Sequence, residues 1–212
     1  MSMKRNGSVS SLGRCPMICP ADPGSVRPRV EGDRELEILA ATLEVLADVG
    51  YDRLTMDAVA TRAKASKATL YRRWSNKVGL VIEALVHSKG PTSLADTGTL
   101  KGDLEAVFCG MGGLTDETTI GAFGAVVTAL ARDPEFAEAF RRDVLGPKIA
   151  ASRLIWERAA ARGELRDDID LELFEPALAG IVLQHVIVMG EAADPGLISR
   201  VIDQIIVPSA TR

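Results

Sequence analysis

Residues 55–77 read TMDAVATRAKASKATLYRRWSNK, and six of the side chains from Arg62 to Lys77 are basic while none is acidic. The apolar spacing of this stretch predicts two short helices joined by a tight turn. Thr55 is placed to cap the first helix, and Met56, Val59, Ala60 and Ala63 form one apolar face. Asp57 in the first turn suits the positive end of the helix dipole. Lys64 and Ala65 make the turn, and Ser66 caps a second helix running to about Trp74. Only Leu70 and Trp74 form a strong inward pair on that helix, which leaves Lys67, Ala68, Tyr71 and Arg72 facing outward. A short helix with so polar and cationic a face has to meet something polar. A helix-turn-helix that presses its second helix into the major groove of double-stranded DNA, with neighbouring cations on phosphate, meets that demand. Consecutive helical residues diverge by about 100°, so Arg72 and Arg73 cannot share one groove wall. Arg72 is expected on DNA and Arg73 on an intramolecular acid.

Working outward, Leu36, Leu39, Leu43 and Leu46 predict a helix over 33–49, capped by Asp33 and stopped by Gly50. Tyr51 and Leu54 then cross over it. On the other side Asn76 caps a helix to about Ser88 with Val78, Val81, Ile82 and Leu85 on its inner side. Beyond that point the strong signals are all helical, over 100–111, 116–132, 134–145, 147–162, 171–189 and 195–207. Asp133-Pro134 and Asp194-Pro195 each place a cap before a proline at the first helical position. The expected fold is therefore all-α. A disordered tail (1–32) precedes a three-helix helix-turn-helix DNA-binding domain (33–88), and a C-terminal helical bundle (89–212) serves ligand binding and dimerisation.

Charge is distributed to match. Residues 1–32 carry five basic and two acidic side chains, 33–89 nine and eight, and 90–212 eleven and nineteen, within a net charge of −4. A polyanion is attracted near the first half and repelled by the second. Arg27 and Arg29, just before the first helix, are placed for an arm that enters a minor groove, although a solvated tail fits the same composition. Cys15, Cys19, Cys109, His87 and His185 show no disulfide or zinc spacing, so no metal and no cofactor are expected. Lys4 and Arg5 lead into a Ser- and Gly-rich run, unlike a secretory signal, and a cytoplasmic location is expected.

The Ser-Lys-x-Thr-Leu-Tyr run at 66–71, the aromatic Trp74 and Lys77 three residues on resemble the helix-turn-helix of the TetR family of bacterial transcriptional regulators, over about 33–88. The resemblance implies that Thr55 and Ser66 cap helices whose amide ends face phosphate, and that Lys67, Ala68 and Thr69 approach base edges. It implies further that Tyr71 touches phosphate through its hydroxyl and that Lys77 meets the DNA backbone. Three residues depart from the family's pattern. Lys64 stands where Gly is common, so either Lys adopts a left-handed backbone or the turn differs. Ala68 stands where Gly is frequent, and its methyl suits a thymine methyl. Trp74 replaces the usual Phe, and its indole N–H needs a partner if buried.

Residues 177–189, ALAGIVLQHVIVM, are apolar on nearly every side apart from Gln184 and His185. Thirteen residues are too few to span a bilayer, so no membrane partner is expected. Burial on more than one face calls for a second subunit, and the resemblance implies a dimer through the last two helices. Ile181, Gln184, His185 and Val188, with Leu197, Ile198, Val201, Ile202 and Ile205, are the expected homodimer surface. Phe108, Met111, Phe123, Val127, Trp156, His185 and Met189 are candidates to line a cavity for a small apolar effector, although each alone also suits ordinary core packing. The expected function is a ligand-responsive repressor that binds a palindromic operator as a homodimer. The alternatives are a DNA-binding regulator with no effector, and a helical enzyme using His185. No nucleophile, base and orienting group stand at a working spacing, so the chain is not expected to be an enzyme.

Overall fold

The apolar stripes predict helices that can be buried only against one another, and the computed structural model describes that arrangement for residues 30–88, 94–109, 117–191 and 195–212. Among these residues every regular element is helical. Helix α1 (Val30–Arg53) begins upstream of Asp33, which therefore lies inside the helix and does not cap it. At Gly50 the backbone turns to φ 76° and ψ 166°, breaking the helix at the predicted stop. The buried face of α1 comprises Ile38, Leu39, Ala41, Thr42, Val45 and Leu46, whereas Leu36, predicted on that face, is exposed one turn too early to reach the core. Thr42 satisfies its hydroxyl by donating to the Ile38 carbonyl at 2.8 Å.

Helices α2 (Met56–Arg62), α3 (Lys67–Arg73) and α4 (Lys77–Ser88) complete the head. Asn76 accepts from the Gly79 amide at 2.9 Å and so caps α4. The remaining helices are α5 (Leu100–Cys109), α6 (Glu117–Arg132), α7 (Pro134–Ala139), α8 (Gly146–Ala161), α9 (Leu171–Leu183), α10 (Pro195–Val201) and α11 (Val207–Ala210). Asp133 caps α7 as its place before Pro134 predicts, whereas Asp194 lies outside the described residues.

The segments 134–145 and 147–162, predicted as separate helices, are joined through a wide turn over Phe140–Leu145. There the Gly146 amide donates to Arg141, five residues back, just before Pro147. A second wide turn, Ile202–Ile206, likewise ends at Val207, just before Pro208. A proline has no N–H and its ring presses on the carbonyl four residues earlier, so a wider turn immediately ahead lets the helix continue. A third wide turn, Gln184–Val188, extends α9. Over its full 18 residues, Leu171–Val188 is long and apolar enough by length and composition to cross a membrane, with mean hydropathy 1.5. That exceeds what 177–189 alone suggests. Leu178, Val182 and Val186, at four-residue spacing, are nonetheless packed inside the protein.

Two apolar cores result. The first combines α1 to α4 with Ala122, Val126 and Ala129 of α6, Phe136 of α7 and Val144. The second gathers α5, α8, α9, α10 and the chain end around Trp156, Ile155 and Ile202. The head therefore shares its core with α6 and α7. Gly121 of α6 lies so close to α1 that a Cβ there would come within 3.2 Å of the Ala47 Cβ. Under the second core, Asp103 is fully buried and accepts from the Thr97 amide (2.6 Å), the Thr97 hydroxyl (2.7 Å) and Arg162 (3.1 Å). Burial pushes this carboxyl up, but the three donors outweigh it and hold it below the ordinary carboxylate range.

A polar clasp closes the seam between head and body. The Tyr51 hydroxyl donates to Asp133 at 2.8 Å, and the Tyr51 ring lies 4.6 Å from that of Phe136. The same Asp133 accepts from the Phe136 amide at 3.0 Å. Arg132 reaches Asp52 at 3.1 Å and Asn76 reaches Glu135 at 3.2 Å. The Phe136 amide, then the Tyr51 hydroxyl, hold Asp133 below the ordinary carboxylate range. Tyr51→Phe should lower unfolding free energy in urea by about 1.5–3 kcal/mol, the worth of a hydrogen bond to a charged acceptor. Because the folded Asp133 value lies below the unfolded one of about 3.9, its contribution is present above that pH and lost as pH falls through the folded value. The stability advantage over Asp133→Asn should accordingly be full at neutral pH and fade on acidification below about pH 4, followed by circular dichroism.

Candidate nucleic-acid interface

Local hydrogen bonds shape the turn between α2 and α3. Thr55 Oγ1 accepts from the Ala58 amide at 3.1 Å, and Ser66 Oγ accepts from the Thr69 amide at 3.1 Å. The Ser66 and Thr69 hydroxyls also lie 2.8 Å apart. At the end of α2 the Ala65 amide donates to Ala60 (2.8 Å) and the Lys64 amide to Thr61 (3.1 Å). This paired closure needs a left-handed residue between helix and loop. Lys64 supplies it at φ 51°, so of the two possibilities for this turn the chain takes the left-handed one. Arg34 of α1 steadies it by donating to the Lys64 carbonyl at 2.6 Å.

Helix α3 is fastened through one side. Leu70 is fully buried and Trp74 is 4% exposed, with Trp74 Nε1 donating to Glu83 of α4 at 2.8 Å. That bond meets the need of a buried indole. Lys67, Ala68, Tyr71 and Arg72 are exposed, Tyr71 by 54%, and Thr69 is half-buried.

The cations of the run divide by partner. Arg62 bridges Glu44 (3.0 Å) and Asp48 (2.5 Å) of α1. Arg73 bridges Glu35 (3.2 Å) and Glu83 (2.9 Å), the intramolecular acids expected for it. Lys77 donates to the Tyr51 carbonyl at 3.2 Å and stands 4.2 Å from the centre of its ring. Lys67 donates to Asp57 at 2.6 Å, and this hydrogen bond raises its pKa and keeps it charged. Both members of that last pair are exposed, so the bond adds little to stability and exchanges readily for another anion. Among the described residues Lys64 and Arg72 make no ion pair. The free positive charge is thus smaller than the run suggests. Lys64, present in the run but not among the expected contacts, belongs to it.

The remaining expected sites are spread over the body. Val188 (72% exposed), Ile205 and Gln184 lie on the surface, and Ile181 and His185 are half-buried. His185 pairs with Glu191 at 2.6 Å. Leu197 and Val201, expected at a subunit surface, are buried instead in the second core, because α10 turns its apolar side onto α5 and α9. Of the expected cavity residues, Phe108 and Phe123 pack against the second core and Trp156 lies within it, edge-on to Phe174 at 6.0 Å. Val127 and Met189 are exposed. Met111, the Arg27 and Arg29 arm, and Cys15 and Cys19 lie outside the described residues. Among the described residues the buried Trp156 indole N–H has no hydrogen-bond acceptor. A groove of about 450 Å³ opens on the outer side of α8, lined by Gly146, Ile149, Ala150, Arg153, Leu154 and Glu157 and by none of these candidates. Among the described residues no three His, Cys, Asp or Glu side chains are grouped to hold a metal.

Comparison with known proteins agrees with this geometry. The family described as "Bacterial regulatory proteins, tetR family" matches residues 38–84, and "Tetracyclin repressor-like, C-terminal domain" matches residues 94–205. The chain is 34% identical over 175 residues to the DNA-binding transcriptional repressor TetR of Mycobacteroides abscessus, covering 82% of this chain and 92% of that one. It is 32% identical over 197 residues to an uncharacterized HTH-type transcriptional regulator of Mycobacterium bovis, covering 91% and 93%. The flavonoid-responsive regulator FrrA shares the fold at TM-score 0.60 with 19% identity, over 85% of this chain and 98% of that chain. The ion-pair division carries its own check. Arg72→Ala should reduce the log–log salt slope of duplex binding by about 0.9, the share of one phosphate, with the urea midpoint unchanged. Arg73→Ala should instead cost about 1 kcal/mol of stability through its two carboxylates and leave the slope intact.

Proposed function

The chain belongs to the TetR family of bacterial transcriptional regulators and is a DNA-binding regulator, not an enzyme; we propose that it acts as a ligand-responsive repressor. In this reading residues 33–88 bind DNA and 89–212 form the regulatory and dimerisation part. The observation that carries it is the one-sided fastening of α3: Leu70 and Trp74 are buried while Lys67, Ala68, Tyr71 and Arg72 are presented outward. Lys67, Ala68 and Thr69 meet base edges, and Tyr71 and Arg72 meet phosphate. Thr55 and Ser66 orient the two helices, and Lys77 holds Tyr51 at the seam until phosphate competes for its ammonium. Repression is supported by the name of the Mycobacteroides abscessus relative.

Two copies bind a palindromic operator, with their α3 helices about 34–36 Å apart in successive major grooves. The second copy covers the outer side of α9, where Gln184 and Val188 are exposed and Ile181 and His185 half-buried, with Ile205 beside them. Exposed Leu173 and Met189 extend the same apolar surface, which otherwise faces water. The effector is a small, largely apolar molecule at the second core, against which Phe108, Phe123 and Phe174 pack and where the Trp156 indole donor has no acceptor among the described residues. An unsatisfied buried N–H costs about 1–3 kcal/mol, so a ligand oxygen accepting from Trp156 recovers part of that cost. Tenfold release of DNA needs about 1.4 kcal/mol of differential effector affinity between the two states. Responsiveness to a flavonoid in FrrA, which shares the fold, is consistent with an effector of this kind.

In gel shifts with DNA from upstream of the gene, Lys67→Ala and Tyr71→Phe should each weaken binding at least several-fold; unchanged affinity for both rejects the α3 assignment. Val188→Glu should convert the protein to a monomer in sedimentation and lower operator affinity in parallel. A thermal-shift screen of hydrophobic metabolites should yield a stabiliser whose effect is lost in Trp156→Phe.

A further inference from the structure

We propose that Lys64 is an additional contact to the DNA backbone, held in place by a turn whose backbone would be easier for glycine. Lys64 is the one non-glycine residue with positive φ among the described residues. A side chain in that conformation is strained, and such an outlier persists only where its surroundings over-determine it. Three hydrogen bonds do so here: Ala65 to Ala60, Lys64 to Thr61, and Arg34 to the Lys64 carbonyl. Two of these bonds engage Lys64, both through its backbone, and none engages its side chain. Lys64 is exposed and, among the described residues, its ammonium has no carboxylate partner, unlike the cationic groups of Arg62, Lys67 and Arg73. The strain therefore supports an unneutralised cation.

Position says where that cation goes. Lys64 stands three residues before Lys67, so their Cα atoms are at most roughly 11 Å apart. The proposal rests on the reading that α3 lies in the major groove, which is about 12 Å wide and walled by phosphates. A lysine on a flexible stem at the head of that helix reaches one wall. A competing role is purely structural, because a cation just beyond α2 also complements the negative end of its dipole. That role would appear in folding stability and not in the salt dependence of DNA binding.

The test measures fluorescence anisotropy of a short labelled duplex from upstream of the gene, and of a random-sequence duplex, across a KCl series with the full chain. For Lys64→Gly and Lys64→Asn, both at ease in a left-handed turn, the log–log salt slope should fall by about 0.9 on both duplexes. Affinity should fall several-fold, with melting temperature equal or higher, and Lys64→Arg should keep the natural slope. An unchanged slope in the Gly and Asn variants, while Lys67→Ala still weakens binding, overturns the Lys64 contact alone. Unchanged binding in Lys67→Ala as well overturns the placement of α3 and the proposal with it. A slope loss that tracks a fall in melting temperature and is not spared in Lys64→Arg also overturns it, in favour of the structural role.

Discussion

Burial of Leu70 and Trp74 is the constraint on which the rest of this molecule depends. A seven-residue helix such as α3 is far too short to persist alone in water. It exists because Ser66 caps it and because two side chains four residues apart sink into the head core. Fixing one side of so short a helix fixes the other. The Trp74 to Glu83 bond adds direction, since it ties the end of α3 to α4 and leaves the indole no reason to turn outward. The outward face is then whatever residues the sequence puts there, and here they are cationic, small and phenolic.

That head is not a separate body. Its core continues into α6 and α7, and Gly121 permits the close approach of α6 to α1. At the seam one carboxylate, Asp133, serves two helices: it caps α7 through the Phe136 amide and receives the Tyr51 hydroxyl from the head. Lys77, at the start of α4, rests on the same tyrosine. Any shift of α7 therefore presses on Tyr51 and Lys77 of the head, and a shift of α6 presses on α1 directly. Packed elements with shared side chains move together because dense cores do not deform continuously.

Several features of the candidate site were legible in residue order. The three caps Thr55, Ser66 and Asn76, the stop at Gly50, the inner face of α2 and the division of Arg72 from Arg73 follow from spacing within four residues. The start of α1, the join through Phe140–Leu145 and the exposure of Leu36 did not follow. Each depends on neighbours far along the chain or on backbone adjustment around a proline. Leu197 and Val201 show the same limit, since an apolar helix face does not say whether its cover is the same chain or a second one.

By itself the sequence determined where helices begin and end around the turn, which side of each is apolar, and that a local cationic run sits in an otherwise acidic chain, because these are matters of side chain against nearby backbone. Tertiary structure alone decided which partner each long-range polar group takes. Arg62 is neutralised by Glu44 eighteen residues away, Arg73 by Glu35 thirty-eight away, and Tyr51 meets Asp133 eighty-two away. Electrostatic partners act through space with no period along the chain, so only packing could reveal which carboxylates engage Arg62 and Arg73 and that Lys64 is left without one among the described residues.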